Sequence, residues 1–157
     1  MEEPLIADKV KEIISSLQLE PHPEGGWFRR IFPAQDECSG DISTIYYLLG
    51  HDDFSAFHRL NGMTEIWYHL GGGPIDIHVI GKDGTLKTHR LGELERQLVI
   101  QSGQWFAAEP SPSCSYCLVG CAVAPAFKYE GFELANRQRL LSEYPQHSAL
   151  IKRLTIA

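Results

Sequence analysis

The chain has 157 residues, of which 43% are hydrophobic, and its formal net charge at pH 7 is −6. This length and apolar content suit one ordinary domain with a single core. The acidic balance provides no positive field for a phosphate backbone, which argues against nucleic acid as a partner. No apolar run approaches the roughly 20 residues that cross a bilayer, and the first residues lack a signal-peptide pattern. We therefore expect a cytoplasmic protein with no membrane partner.

The N-terminal segment has the pattern of one amphipathic helix. Over residues 5–19, the apolar residues Ile6, Val10, Ile13 and Leu17 recur at helical spacing. Pro4 stands at the start, where the first turn of a helix accepts proline. We predict a helix within residues 1–20.

The chain from residue 21 to residue 132 reads as a series of short strands, cut by Gly, Pro and Asp-Gly signals. The predicted strands are 27–32, 42–49, 65–70, 75–80, 85–91, 97–101, 104–108 and 115–123. Asp83-Gly84 is a strong hairpin turn, and no long helix interrupts the series to support parallel βαβ units. These features predict an all-β sandwich or barrel. In residues 133–157 the apolar residues return to helical spacing around a proline, which predicts short helices packed outside the barrel.

The cysteines Cys38, Cys114, Cys117 and Cys121 do not have the paired spacing of a structural zinc site. On a strand over 115–123, Cys117 and Cys121 share one face, and Cys114 points to the other. We interpret all four as reduced thiols in the core of an intracellular protein.

Residues 54–73 hold the densest set of chemically active side chains. Strand alternation puts His58 and Arg59 on opposite faces, so His58 is the candidate base in a pocket and Arg59 a candidate phosphate contact. The same alternation puts Glu65, Trp67 and His69 on one face. These three side chains would place a carboxylate, an aromatic ring on which a ligand can stack and an imidazole in one row.

Three further groups are candidates from their pattern. Tyr46 and Tyr47 point to opposite faces, so one of them should reach the interior and act as an acid through its phenol. Asp76 and His78 alternate with apolar residues, so one face of their strand is polar, either solvated or facing a ligand. Phe127, Tyr129 and Phe132 are interpreted as packing residues.

Several segments resemble the cupin superfamily, and in particular a small-cupin family of unknown function known as the fifth cupin family. The segments are HPEGGW at 22–27, STIYYLL at 43–49, FHRL at 57–60, EIWYH at 65–69 and LVGCAVAP at 118–125. The resemblance covers nearly the whole chain after the first helix. It implies a double-stranded β-helix, or jelly-roll barrel, with a ligand pocket inside, and a homodimer.

The resemblance also bears on metal binding. His58, Leu60, Glu65 and Gly72 fall on the positions of the first cupin motif, and Phe106 falls where metal-binding cupins carry their last histidine. Leu60 and Phe106 have no lone pair to offer, so no cofactor is assigned. The alternative is a divalent metal ion held by His58, Glu65 and His69.

The resemblance extends the candidate ligand contacts to the segment at 22–27 and to the barrel wall. Glu24, Gly25, Gly26 and Trp27 would form a rim over the pocket mouth, because two glycines permit a close backbone approach. Phe106 is a further candidate contact.

The function predicted from these residues is binding of a small polar ligand, either a sugar phosphate or a nucleotide-linked sugar, with isomerase or epimerase activity. His58 would be the base, Glu65 or His69 its partner, and a tyrosine the acid. A non-catalytic small-molecule or nucleotide binding module and a metal-dependent dioxygenase are the alternatives.

Overall fold

The computed structural model describes residues 3–34 and 40–157, so the prediction for Cys38 lies outside the described residues. The predicted N-terminal helix is present as α1, Glu3–Ser16. It ends before residue 19 because Gln18 takes a left-handed conformation with φ 53°. The Leu19 N–H then donates to the Ile14 carbonyl, a hydrogen bond that is typical of a helix C-terminus followed by a left-handed residue.

In the described residues, the strands between residues 20 and 134 form two antiparallel sheets. The strands are β1 Glu20–Pro21, β2 Trp27–Phe32, β3 Ser43–Gly50, β4 Ser55–Leu60, β5 Thr64–Gly72, β6 Ile75–Ile80, β7 Leu86–Leu91, β8 Gln97–Ile100, β9 Trp105–Pro110, β10 Tyr116–Ala124 and β11 Phe132–Leu134. One sheet has the order β1-β2-β3-β10-β5-β8, and the other has the order β11-β4-β9-β6-β7. The predicted all-β jelly-roll architecture is confirmed.

The eight predicted strands are all present, with ends shifted by one or two residues. Asp83-Gly84 closes the β6–β7 hairpin, with Gly84 at φ 81° and the Asp83 carboxylate accepting from the Thr85 N–H at 3.0 Å. The predicted series lacks β4, in which five of six residues are buried. A strand covered on both faces loses the polar alternation by which a half-exposed strand is recognised.

The core between the two sheets contains three of the cysteines. Cys114, Cys117 and Cys121 are free thiols, each almost fully buried in the same cluster. The predicted opposite orientation of Cys114 is wrong because this residue precedes β10. It lies in a turn, where its thiol donates to the Tyr116 carbonyl at 2.9 Å.

A second cluster lies outside the five-stranded sheet, under the C-terminal helices α2, Arg137–Glu143, and α3, Ser148–Arg153. Leu140 and Ile151 of these helices pack on Phe57, Ile80 and Trp105. The predicted outer helices are therefore confirmed, except that residues 133–134 belong to β11. In the part of the chain that the structure describes, no helix combines the length and the apolar character that crossing a membrane requires.

Candidate functional site

A cavity of about 460 Å³ opens at one end of the barrel, between the two sheets. Strands β2, β3, β5 and β10 form one wall, and β4 and β11 form the other, together with the loop before β2 and the loop before β11. The lining residues are Glu20, His22, Pro23, Glu24, Phe28, Arg30, Ser43, Ile45, Tyr47, His58, Leu60, Glu65, Trp67, Cys121, Val123, Phe127, Tyr129 and Phe132. This volume is within the usual range for small-molecule sites.

His58 stands in this cavity with its tautomer fixed. Its Nδ1 lies 2.7 Å from the carbonyl oxygen of Ala56 and 3.4 Å from Oε2 of Glu24. A carbonyl only accepts hydrogen bonds, so Nδ1 carries the proton and, in the neutral ring, Nε2 carries the lone pair. Within the described residues Nε2 makes no hydrogen bond, which leaves it available to a ligand.

Glu24 connects the loop before β2 with β4 of the opposite sheet. Its side chain is buried and accepts a hydrogen bond from the Ser55 hydroxyl at 2.6 Å. Its backbone carbonyl accepts from the Ala56 N–H at 3.2 Å. These two contacts hold the Glu24 carboxyl beside His58.

Gly25 and Gly26 let this loop lie against its neighbours. Both have positive φ values, 115° and 74°. A Cβ at Gly25 would overlap the backbone of Phe54, and the Gly25 carbonyl accepts from the Tyr47 hydroxyl at 2.6 Å. Gly25, Gly26 and Trp27, predicted as ligand contacts, do not line the cavity, because the loop turns His22, Pro23 and Glu24 toward it instead.

Glu65 enters the cavity from β5 as a deeply buried carboxyl. Burial is the main reason why its pKa rises to about 8, and the neighbouring Glu24 raises it further. Trp67 and Cys121 lie beside it and favour the charged form, although the Trp67 indole makes no hydrogen bond of normal geometry. At neutral pH Glu65 is therefore mainly protonated and can donate a proton.

The two tyrosines on β3 lie on opposite faces. Tyr47 lines the cavity, and its pKa is raised, first by burial and then by Glu24. Tyr46 lies on the outer face, where it is paired with Gly120 of β10. Of the two predicted acids, only Tyr47 can reach a ligand in this cavity.

His69 does not join the site, although it points to the same side as Glu65. Four residues of strand span roughly 13 Å, which carries His69 beyond the cavity. There its Nε2 lies 2.8 Å from the Gly73 carbonyl, and the ring is buried. The predicted row of Glu65, Trp67 and His69 is present, but only its first two members line the cavity.

Arg59 lies outside the cavity, on the outer face of β4. It donates to Glu133 at 2.7 Å and stacks on Trp105, with the guanidinium carbon 4.4 Å from the ring centre. Arg59, predicted as a phosphate contact, therefore does not line this cavity, because alternation with His58 turns it away from the interior.

Asp76 and His78 also lie on an outer face, that of β6, and neither is solvated. Asp76 accepts two hydrogen bonds from Arg90, at 2.8 and 3.0 Å. His78 lies 2.7 Å from the Thr88 hydroxyl and 3.5 Å from Glu109. Asp76 and His78, both predicted as ligand contacts, do not line the cavity, because the apolar residues of β6 occupy the inner face of that strand.

Several cavity residues escape the sequence pattern. His22 is missed because it lies in a loop without periodicity. Arg30 could have been predicted from the sequence, since alternation along β2 puts its side chain on the side opposite Trp27. Phe127, Tyr129 and Phe132, interpreted as packing residues, do pack on one another, but they also line the cavity mouth.

The cavity does not fit a divalent metal ion at the positions that metal-binding cupins use. Leu60 and Phe106 offer no donor atom, and the Phe106 ring packs on the His58 imidazole at 4.1 Å between centroids. Glu65 is mainly neutral at pH 7, which makes it a weak ligand. Across residues 3–34 and 40–157, no three His, Cys, Asp or Glu side chains are arranged to hold a metal ion.

Comparison with solved structures shows two whole-chain relatives. A hypothetical protein from Leishmania major has a TM-score of 0.84 and 28% identity, covering 94% of this chain and 98% of its own. A protein from Shewanella oneidensis has a TM-score of 0.83 and 37% identity, covering 93% of this chain and 96% of its own.

A more distant likeness is to oxalate decarboxylase from Bacillus subtilis. It has a TM-score of 0.62 and 13% identity, covering 90% of this chain and 37% of its own, and it supports the fold alone. A comparison with curated proteins gave no match. The model of the family described as Cupin superfamily (DUF985) matches residues 11–135, most of the length. The chain therefore belongs to this cupin family.

Proposed function

We propose that the cavity binds a small polar ligand of the sugar type and that His58 moves a proton of that ligand, as in an isomerase or epimerase. The observation that carries this proposal is the pairing of two groups in one cavity. His58 offers a lone pair on Nε2, because Nδ1 is committed to the Ala56 carbonyl. Glu65 offers a proton, because its pKa is about 8. A base and an acid that face the same ligand are the pair that proton transfer at carbon requires.

The cavity wall suits a hydroxylated ring. Trp67, Tyr47 and Phe28 supply aromatic faces, on which the apolar side of a sugar ring can stack. Glu24, Ser43 and Glu65 supply hydrogen-bonding groups. The fold family supports a small ligand in general, and this combination favours a sugar.

For a phosphorylated or nucleotide-linked sugar, the anionic group would have to meet Arg30. Among the described lining residues Arg30 is the one guanidinium, and there is no lysine. Glu20 and Glu24 lie in the same wall and oppose a second phosphate group. The charge of the wall therefore favours a free monosaccharide, or one with a single phosphate, over a nucleotide sugar with two.

Proton transfer can be tested without knowing the natural ligand. Aldoses, ketoses and their phosphates are incubated with the protein in D₂O, and deuterium at carbon is followed by NMR. The wild type should exchange at least one sugar, and His58→Ala should abolish the exchange. The matched control is His89→Ala, since His89 is half-buried on β7, outside the cavity. Exchange that survives in His58→Ala would remove His58 from the mechanism.

A non-catalytic binding module is the competing outcome, and thermal shift separates the two. A ligand at about 100 times its dissociation constant stabilises the fold by roughly 2.7 kcal/mol, whether or not it reacts. Clear shifts with no deuterium incorporation for any sugar would support a binding module and contradict catalysis.

We also propose a homodimer formed through the outer face of the six-stranded sheet. Tyr68, Leu70 and Val99 are 39%, 49% and 52% exposed on the adjacent strands β5 and β8. Exposed apolar groups on a sheet face are typical of an interface. Sedimentation should show a dimer that Leu70→Glu dissociates, whereas Leu94→Glu, in a fully exposed loop position, should leave it intact. A monomeric wild type would contradict this assembly.

A further inference from the structure

His22 presents to the cavity the opposite chemistry to His58. The Glu24 backbone N–H donates to Nδ1 of His22 at 3.0 Å. Nδ1 is therefore the acceptor nitrogen, and in the neutral ring Nε2 carries the proton. Nε2 makes no hydrogen bond within the described residues and lies 4.0 Å from Oε1 of Glu24. The site thus contains one imidazole that donates through Nε2 and one that accepts through Nε2.

Both imidazoles are held around the Glu24 carboxyl. Oε1 faces His22 at 4.0 Å and Oε2 faces His58 at 3.4 Å. The His22 ring is fixed further by Phe28, in an edge contact at 4.5 Å, and by Tyr47 at 5.1 Å between centroids. Burial lowers the pKa of His22, which keeps the ring neutral and its single proton on Nε2.

We infer that His22 donates a hydrogen bond to the carbonyl oxygen of the ligand, next to the carbon from which His58 takes a proton, and that the ligand is an aldose or ketose that binds as a ring and reacts in its open-chain form. The inference rests on the proposed role of His58 as the base. A base beside a neutral hydrogen-bond donor is the arrangement needed for proton abstraction next to a carbonyl, because negative charge develops on the carbonyl oxygen. A hydroxyl oxygen can also accept from His22, but a carbonyl oxygen is the acceptor that gains negative charge when the adjacent carbon loses a proton.

The step balances with the groups present. His58 Nε2 takes the proton from the carbon, the C–H electron pair forms a C=C bond, and the carbonyl electron pair moves to oxygen. The resulting enolate oxygen accepts the His22 N–H. In an epimerisation, Glu65 then gives its proton to the carbon that lost its own, the C=C electron pair forms the new C–H bond, and the carbonyl re-forms. In an isomerisation, Glu65 gives its proton to the former carbonyl carbon, while the proton of the neighbouring hydroxyl passes to the enolate oxygen, so that the carbonyl forms at the neighbouring carbon. In both cases Glu65 becomes a carboxylate. Transfer of the proton from His58 back to Glu65 restores the site, so no oxidant or reductant is needed.

The first test requires no ligand. Long-range ¹H–¹⁵N NMR should show that the neutral His22 ring carries its proton on Nε2 and that the neutral His58 ring carries its proton on Nδ1. A proton on Nδ1 of His22 would overturn the inference, because its Nε2 would then have nothing to donate.

The second test compares two variants that differ in one donor. His22→Asn keeps an acceptor near the position of Nδ1 and loses the donor at Nε2, whereas His22→Gln places an amide near Nε2. Removing one donor to a developing oxyanion costs about 10²–10³ in rate, so deuterium exchange of hexoses should fall by that factor in His22→Asn and recover in part in His22→Gln.

The outcomes separate this inference from the proposed function. Exchange that depends on His58 but is unchanged in His22→Asn would overturn the role of His22 and leave the proposed function standing. Absence of exchange for every sugar in the wild type would overturn the proposed function, and the role of His22 with it.

Discussion

Replacing Glu65 with glutamine should make the protein more stable, and increasingly so as the pH rises. The pKa of this carboxyl is about 8 in the fold, against 4.5 as its ordinary value. Below pH 4.5 the group is protonated in both states, and burial of the charge costs nothing. Above pH 4.5 the unfolded chain releases the proton while the fold retains it, so stability falls as the pH rises, until about pH 8.

The magnitude follows from the two pKa values. At about 1.4 kcal/mol for each pH unit separating them, the full cost is about 5 kcal/mol, reached near pH 9, and it is about 3 kcal/mol at pH 7. Glutamine has nearly the same shape and no charge to bury. The unfolding free energy of Glu65→Gln should therefore exceed that of the wild type by an amount that grows by about 4 kcal/mol from pH 5 to pH 9.

Urea titrations at pH 5, 7 and 9 measure this difference directly. Glu93→Gln is the control, because Glu93 is exposed and its charge is not buried on folding. A Glu65→Gln difference that stays constant over this pH range would refute the assignment of Glu65 as a neutral acid.

Three further changes test the packing around the site. Gly25→Ala should unfold or strongly destabilise the protein because its Cβ would overlap a backbone carbonyl, whereas Gly71→Ala meets open space and should cost little in thermal stability. Ile151→Ala should lower the unfolding free energy by about 2–5 kcal/mol in urea, because Ile151 is fully buried under the sheet, while the exposed Leu94→Ala should change it by less than about 0.5 kcal/mol. Ser55→Ala should cost about 1–3 kcal/mol in the same assay, since a buried carboxyl oxygen loses its donor; an unchanged urea midpoint would contradict that hydrogen bond.

The sequence predicts the fold well where one face of a strand is buried and the other is not. On β5, burial alternates from Glu65 through Trp67 to His69. The alternation of residue types in the sequence has the same period of two, so it predicts both the strand and the side chains that point inward. On β4 this alternation is absent from the sequence, because the C-terminal helices α2 and α3 cover the outer face of the strand.

The site is less predictable, because alternation gives a side of the sheet and not a position along it. It places Glu65 and His69 together, although the length of the strand separates them by roughly 13 Å. It gives no information about loops, so His22 is missed. The role of His22 depends on contacts with the Glu24 backbone and with Phe28 and Tyr47, which exist only after the two sheets come together.

The loop that carries His22 and Glu24 joins β1 and β2 of the six-stranded sheet, whereas His58 lies on β4 of the five-stranded sheet. The strand lies between β9 and β11, whereas the loop is held to its neighbours by single hydrogen bonds, from Tyr47 to the Gly25 carbonyl and from Ser55 and the Ala56 N–H to Glu24. Amides of the loop should therefore exchange with solvent sooner than those of β4.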